Sequence, residues 1–271
     1  MNVLTWLNWL IGLFQKRHLQ NVQNPSVELY VEPPVANSSQ NWLKYLSLPY
    51  RTQWAGAFDE DNCATRAAIE CLEAIFNYYL MNNLFPPATT DFLKKNFCND
   101  QGFVKLSIRY NSKLNNTTIN GASVDTVWNN FAQFGIIPEK MYPDPVGNFT
   151  WNQYYSDVPA DVLAFGKQTL NLFKINWQTI WNGRWQAPDI SVLKQSLISS
   201  PVYFAGGIGR VLADGIERWN GVKTYQHARL IYAEDNFQEV LDSYVNPGYL
   251  HKLEWSYPIP CAIKCGIKII T

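Results

Sequence analysis

The apolar residues of this chain change their period partway along, and that change restricts the fold more than any other feature. In the first half Ala64, Ala67, Ala68, Leu72, Ile75, Phe76 and Tyr79 recur at three- and four-residue spacing. Val124, Val127, Trp128, Phe131 and Ala132 do the same, which predicts two helices. After about residue 200 the pattern becomes strand-like. Pro201-Val-Tyr-Phe-Ala, Ala228-Arg-Leu-Ile-Tyr, Glu239-Val-Leu-Asp-Ser-Tyr and Ala262-Ile-Lys-Cys-Gly-Ile-Lys-Ile-Ile are rich in β-formers and lie between turn residues. Helices first and strands later indicate an α+β class. No internal repeat or low-complexity tract interrupts the pattern.

Composition excludes several classes. The 271 residues carry 22 Lys plus Arg against 22 Asp plus Glu, so no excess positive charge exists to track phosphates, and nucleic acid is not an expected partner. Charged residues make up 16% and aromatics 15%, the opposite of a disordered chain's profile. The length suits one large domain or two small ones. No apolar run approaches the roughly 20 residues of a spanning helix. Five cysteines, Cys63, Cys71, Cys98, Cys261 and Cys265, are too few for a disulfide-dense scaffold but leave room for one or two bridges. Cys261 and Cys265 cannot bridge each other, because four residues of strand separate their Cα atoms by about 13 Å. They and Cys71 read as small core residues. No Cys or His pairs stand at metal-ligand spacing, so neither metal nor cofactor is expected.

Residues 1–39 form a compositional unit of their own. Leu4, Trp6, Leu7, Trp9, Leu10, Ile11, Leu13 and Phe14 precede Lys16, Arg17 and His18, the reverse of the charge order in a secretory signal. The pattern predicts an amphipathic helix followed by a linker containing Pro25, Pro33 and Pro34. It would be a pro-segment or an arm docking on its own domain, on a partner protein or on a membrane surface. The expected compartment is cytoplasmic or virion-associated.

A general base must come from three histidines. His18 lies in the extension, and His251 follows a Pro-Gly-Tyr loop with no acidic neighbour in a nearby strand. His227 opens one predicted strand and Asp242 lies 15 residues on, in the next. Antiparallel pairing would set the carboxylate beside the imidazole, where it can fix tautomer and orientation. Cys63 begins the first helix, with Asn62 as the expected N-cap. A thiol there meets unpaired N–H groups and the positive end of the dipole, and a nearby imidazolium would favour the thiolate further.

Four segments, taken in order, resemble the papain-like cysteine peptidases (peptidase family C1). Cys63-Ala-Thr-Arg-Ala-Ala-Ile-Glu-Cys-Leu-Glu resembles the nucleophile helix. The stretch from Asn120-Gly-Ala-Ser-Val-Asp through Phe-Gly-Ile-Ile-Pro-Glu-Lys-Met-Tyr-Pro is similar to the family's Asn-Gly-Gly segment, short helix and Gly-Ile…Tyr-Pro turn. Ser191-Val-Leu-Lys-Gln-Ser-Leu-Ile-Ser-Ser-Pro-Val resembles the helix-to-strand passage of the second domain. His227 and Asp242 fall where the family's His and Asn would. The resemblance covers residues 40–271 and implies a papain-like two-lobed fold, with a helical left lobe, a β-barrel-like right lobe and the active-site cleft between them. It implies a Cys63 nucleophile, a His227 base and acid, an orienting Asp242, and a peptide or protein substrate paired with Asn120, Gly121 and Ala122.

The departures are specific. Asp242 replaces Asn, Tyr244 replaces the Trp of Asn-Ser-Trp, and the Cys-Gly-x-Cys-Trp pattern is absent. The family's oxyanion-hole Gln should stand about six residues before the Cys, where position 57 is Ala. Gln53 is the nearest candidate, displaced by a four-residue insertion. Asp59, Glu60 and Asp61 oppose a thiolate if they face it and are harmless if they loop outward. Two other readings fit the residues: a structural, virion-associated protein that keeps the fold without turnover, and another Cys-His-Asp acyl-transfer enzyme of transglutaminase-like or amidase-like type. The aromatic arm and the Asp-Ser-Tyr variant are reminiscent of phage-encoded relatives.

Overall fold

Helix α1 (Cys63–Met81) is the structural axis. The expected apolar spacing is present, but the helix is buried on every side, as a helix central to a domain must be. Its polar residues therefore need partners. Glu73 meets Arg51 at 2.7 Å and accepts from the Leu106 amide. Asn77 bridges Tyr45 O, Ser47 Oγ and the Val104 amide. Arg66, fully buried, pairs with Glu60 at 2.7 Å. The computed structural model describes residues 41–54, 58–183, 185–223, 227–244 and 249–270. The N-terminal extension predicted for residues 1–39 lies outside the described residues.

Around α1 stand α2 (Pro87–Asn96), α3 (Ile108–Leu114), α4 (Val124–Phe134), α5 (Trp151–Tyr154), α6 (Ala160–Thr169) and α7 (Ile190–Ser199). Local chemistry sets their ends. Ser107, Ser123 and Asp189 each cap a helix with the side chain, and Thr150 and Gln153 form a capping box. Helix α4 stops at Gly135, whose φ of 71° favours glycine and where a Cβ would sit 2.0 Å from the Gly166 carbonyl oxygen.

Eight strands are described: β1 (Phe173–Trp181), β2 (Val202–Gly206), β3 (Arg210–Val211), β4 (Ile216–Arg218), β5 (His227–Glu234), β6 (Gln238–Leu241), β7 (Leu250–Leu253) and β8 (Cys261–Ile269). They form one sheet in the order β1-β8-β2-β5-β6-β7-β4-β3, antiparallel except for the β4–β7 pair. Helix α1 packs on β5, β2 and β8, so the sequence's two halves share a core that includes Ile69, Leu72, Phe76, Phe204, Leu230 and Ile263. The class is α+β, as the change of period predicts. No described helix is long and apolar enough to cross a membrane.

The Arg66–Glu60 pair fixes the approach to Cys63 and yields a stability prediction. Removing one partner of a buried pair strands a charge at about 3–5 kcal/mol, whereas replacing both with apolar or neutral groups costs far less. Arg66→Ala is therefore expected to lower the unfolding free energy by about 3–5 kcal/mol, and Glu60→Gln/Arg66→Met by under half of that. Urea titration measures both. Equal losses in the two variants would contradict the prediction.

Candidate active site

Cys63 is the first residue of α1 and is half-buried. Asn62 occupies the N-cap position but, against expectation, makes no capping bond. Its amide donates to Glu60 Oε2 (2.8 Å) and Tyr154 Oη (2.9 Å), while its oxygen accepts from Arg66 Nε (3.3 Å). The buried Glu60–Arg66 pair takes the side chain away from the helix end. The first-turn amides are thus left without that cap, which suits an incoming negative charge.

His227 opens β5 and Asp242 follows β6 directly. The strands pair antiparallel through Leu230↔Leu241, and continuing that register sets Tyr244 opposite His227 with Asp242 one diagonal step away on the same face. The structure brings the residues together: His227 Nε2 lies 2.7 Å from Asp242 Oδ1. The Tyr244 ring covers the imidazole with centroids 4.8 Å apart, and its backbone N–H donates to Asp242 Oδ1 at 2.9 Å. Arg229 Nη1 stands 3.8 Å from Asp242 Oδ2.

This environment favours the charged pair. Burial acts to lower the His227 pKa, but Asp242's charge and hydrogen bond, followed by Cys63, outweigh it and raise it to about 9. Burial acts to raise the Asp242 pKa, and it is outweighed by His227, Arg229 and the Tyr244 N–H, which hold it below the usual carboxylate value. Because the histidine is shifted up, its contribution to stability is complete below about 6.5 and is lost as pH rises through about 9. Because the aspartate is shifted down, its contribution is complete above about 3.9 and is lost on further acidification. The other ring nitrogen, Nδ1, is buried and makes no hydrogen bond of standard geometry among the described residues. Nε2 is committed to Asp242.

Gln53 is almost fully buried beside the residues that follow Asp242. Its N–H donates to Ser243 O (3.1 Å), and its side-chain oxygen accepts from Ser243 Oγ (2.5 Å). Its Nε2 donates to Asp59 Oδ1 (2.9 Å) and Tyr244 Oη (2.7 Å), and the Tyr244 hydroxyl donates to Asp59 Oδ2 (2.6 Å). An antiparallel bridge pairs Trp54 with Asp59. The acidic run therefore divides. Glu60 turns inward to Arg66, whereas Asp59 faces the site and is held by Gln53, Tyr244 and the Asp61 amide (2.8 Å). Asp61, at φ 51°, has its carboxyl raised to about 6 by burial and by Asp59's charge.

Of Asn120, Gly121 and Ala122, Gly121 lies against the residues that precede Cys63. A Cβ at Gly121, whose φ is 77°, would lie 3.5 Å from the Asp61 carbonyl oxygen. Gly121's own N–H and C=O are both bonded to Thr118.

A buried cluster behind Asp242 was not foreseen. Arg229 Nη1 donates to Glu217 Oε2 at 2.5 Å, and Tyr257 Oη and the Gly209 N–H donate to Glu217 Oε1 at 2.9 and 2.6 Å. His251 Nε2 lies 2.9 Å from Glu217 Oε2, which corrects the expectation that His251 lacks an acidic neighbour. That neighbour comes from β4, brought alongside β7 by the parallel pairing.

No protein-family model and no curated protein matches the sequence. Solved structures do match. Procathepsin L 3 from the larval midgut of Tenebrio molitor is 12% identical, with a TM-score of 0.56 over 91% of this chain and 74% of that one. Xylellain, a cysteine protease from Xylella fastidiosa, is 14% identical, with a TM-score of 0.55 over 89% and 96%. The ragweed Amb a 11 cysteine protease in its proform is 16% identical, with a TM-score of 0.51 over 93% and 73%. At such identities the likeness speaks for the fold, and the fold of this chain is that of the papain-like cysteine proteases.

Proposed function

We propose that the chain is a cysteine peptidase whose residues 40–271 form a two-lobed catalytic unit. The observation that carries this reading is the buried His227–Asp242 pair at 2.7 Å, with Cys63 among the groups that hold the imidazole protonated. In this reading the Cys63 thiolate attacks a peptide carbonyl and the C–N bond breaks as His227 Nδ1 gives its proton to the leaving amine. Water then attacks the thioester, His227 takes one of its protons, and the Cys63 thiolate leaves as the carboxylic acid forms, which restores the ion pair. Asp242 orients and charges the imidazole throughout. The Cys63 amide and Gln53 Nε2 would hold the oxyanion. Peptide substrate would lie along Asn120–Ala122 as an added strand.

Alkylation of Cys63 by iodoacetamide, followed by mass spectrometry across pH, tests this reading. Labelling is expected to be fast and to persist down to about pH 5, and to lose that acidic reactivity in His227→Ala. A rate that rises only above about pH 8, as for an ordinary thiol, would overturn the ion pair.

One observation favours a second reading, in which the fold is kept without turnover. Both hydrogens of the Gln53 amide are engaged by Asp59 and Tyr244, so the resting site holds no idle donor on that side chain. The two readings separate on the Gln53 and Asp59 variants.

A further inference from the structure

We propose that Cys71 and Cys265 form a disulfide that ties the helix carrying Cys63 to the sheet. Their sulfurs lie 2.9 Å apart, although 194 residues separate them in sequence. Unbonded heavy atoms settle at about 3.5–4.0 Å. A disulfide needs about 2.05 Å, so the pair has come well inside non-bonded contact and has under an ångström left to close. Both side chains are fully buried where α1 packs on β8, with no water to compete for either sulfur.

The surroundings accept the loss of both thiol hydrogens. Cys71 Sγ is 3.4 Å from the Pro201 carbonyl oxygen, a weak bond that oxidation would remove. That carbonyl keeps a stronger donor in the Ser200 hydroxyl at 2.6 Å, and Ser200 Oγ in turn accepts from the Cys265 amide at 3.1 Å. Closing the bridge therefore leaves the Pro201 carbonyl with the Ser200 hydroxyl as its donor.

The reaction is an exchange. Cys71–SH and Cys265–SH react with a small-molecule disulfide R–S–S–R to give Cys71–S–S–Cys265 and two R–SH, the oxidant being a glutathione-type disulfide. Burial pushes the Cys265 thiol well above its ordinary value, and only thiolates exchange. The bridge must therefore form while the core is still open, during folding, and the closed core then shields it from reductants. The inference does not rest on the peptidase reading, since neither cysteine enters the proposed chemistry.

The full chain, unfolded in guanidinium and refolded in a reduced and oxidised glutathione buffer, provides the test. The folded fraction is alkylated under denaturing, non-reducing conditions and digested with trypsin. Cleavage after Arg66, Lys94, Lys264 and Lys268 should give residues 67–94 joined to residues 265–268. The joined species should vanish on reduction, with Cys63, Cys98 and Cys261 alkylated throughout. The oxidised protein should melt about 5–15 °C above the same protein refolded in reductant, a difference absent from Cys71→Ala/Cys265→Ala. Alkylation of both Cys71 and Cys265, glutathione adducts on them, or a linkage to any other cysteine would overturn the proposal.

Discussion

His227→Ala is expected to lower kcat/KM for peptide hydrolysis by about 10⁴-fold or more while leaving the fold intact. Losing the base of a nucleophile–base unit costs nearly as much as losing the unit, because neither member works alone. The described residues offer no substitute: the other histidine among them is His251, held in the Glu217 cluster. The size of the effect also has a pH signature. Asp242's charge and hydrogen bond are the largest upward influences on His227, whose pKa they help carry to about 9. Asp242→Asn keeps an acceptor for Nε2 but removes the charge, so the alkaline limb of the pH–rate profile should move to lower pH by a unit or more. The direction follows from the linkage: less stabilisation of the imidazolium means that its proton leaves earlier as pH rises. Asp242→Ala should lower kcat further, since the ring then loses its orientation as well. Stopped-flow or steady-state profiles of the three variants on one peptide substrate are sufficient. An unchanged limb in Asp242→Asn would remove the aspartate from the mechanism.

The parts of this site that could be read from sequence are those fixed by short-range patterns. Cys63 opens a helix whose apolar spacing is visible in the chain, and His227 starts one strand while Asp242 directly follows its tightly connected neighbour. Four strands were expected where β2, β5, β6 and β8 stand. Strand β1 is an edge strand whose Phe173, Ile175 and Trp177 alternate with Lys174, Asn176 and Gln178, a period-2 signal that the sequence does carry and that the reading of the second half as starting near residue 200 passes over. Strands β3, β4 and β7 are two to four residues long, too short to show a period. Their invisibility hid the Arg229–Glu217–His251 cluster, which exists only through the parallel pairing of β4 with β7. Asn62 was expected to cap α1, a local preference that a buried ion pair from Glu60 and Arg66 overrides. Gln53 could be nominated through the family resemblance, as the Gln nearest to the expected position before Cys63, but not its engagement with Asp59. That engagement depends on Tyr244, which lies 185 residues from Asp59.

The second large effect concerns that engagement. Gln53→Ala is expected to reduce kcat by about 10²–10³-fold with little change in KM, the loss that follows removal of one oxyanion donor. The resting amide spends one hydrogen on the Asp59 carboxylate and the other on the Tyr244 hydroxyl. To bind an oxyanion it must release one of them. A bond to a charged acceptor is roughly twice as strong as a neutral one, so the Tyr244 bond yields first. Tyr244 stays in place regardless, because its own hydroxyl donates to Asp59 at 2.6 Å and its ring lies over His227. Asp59 is therefore a positioning residue: it anchors the amide by one hydrogen and leaves the second free to turn. Asp59→Ala should accordingly lower kcat by about tenfold, a smaller loss than that of a missing donor. Asp59→Asn keeps an acceptor for Gln53, removes a negative charge that opposes the oxyanion, and should hold kcat at or above the wild-type value. If the carboxylate instead occupied the hole, Asp59→Ala would be the fastest of the three, and Gln53→Ala would be harmless. That order of rates would favour the reading in which this fold is kept without efficient turnover.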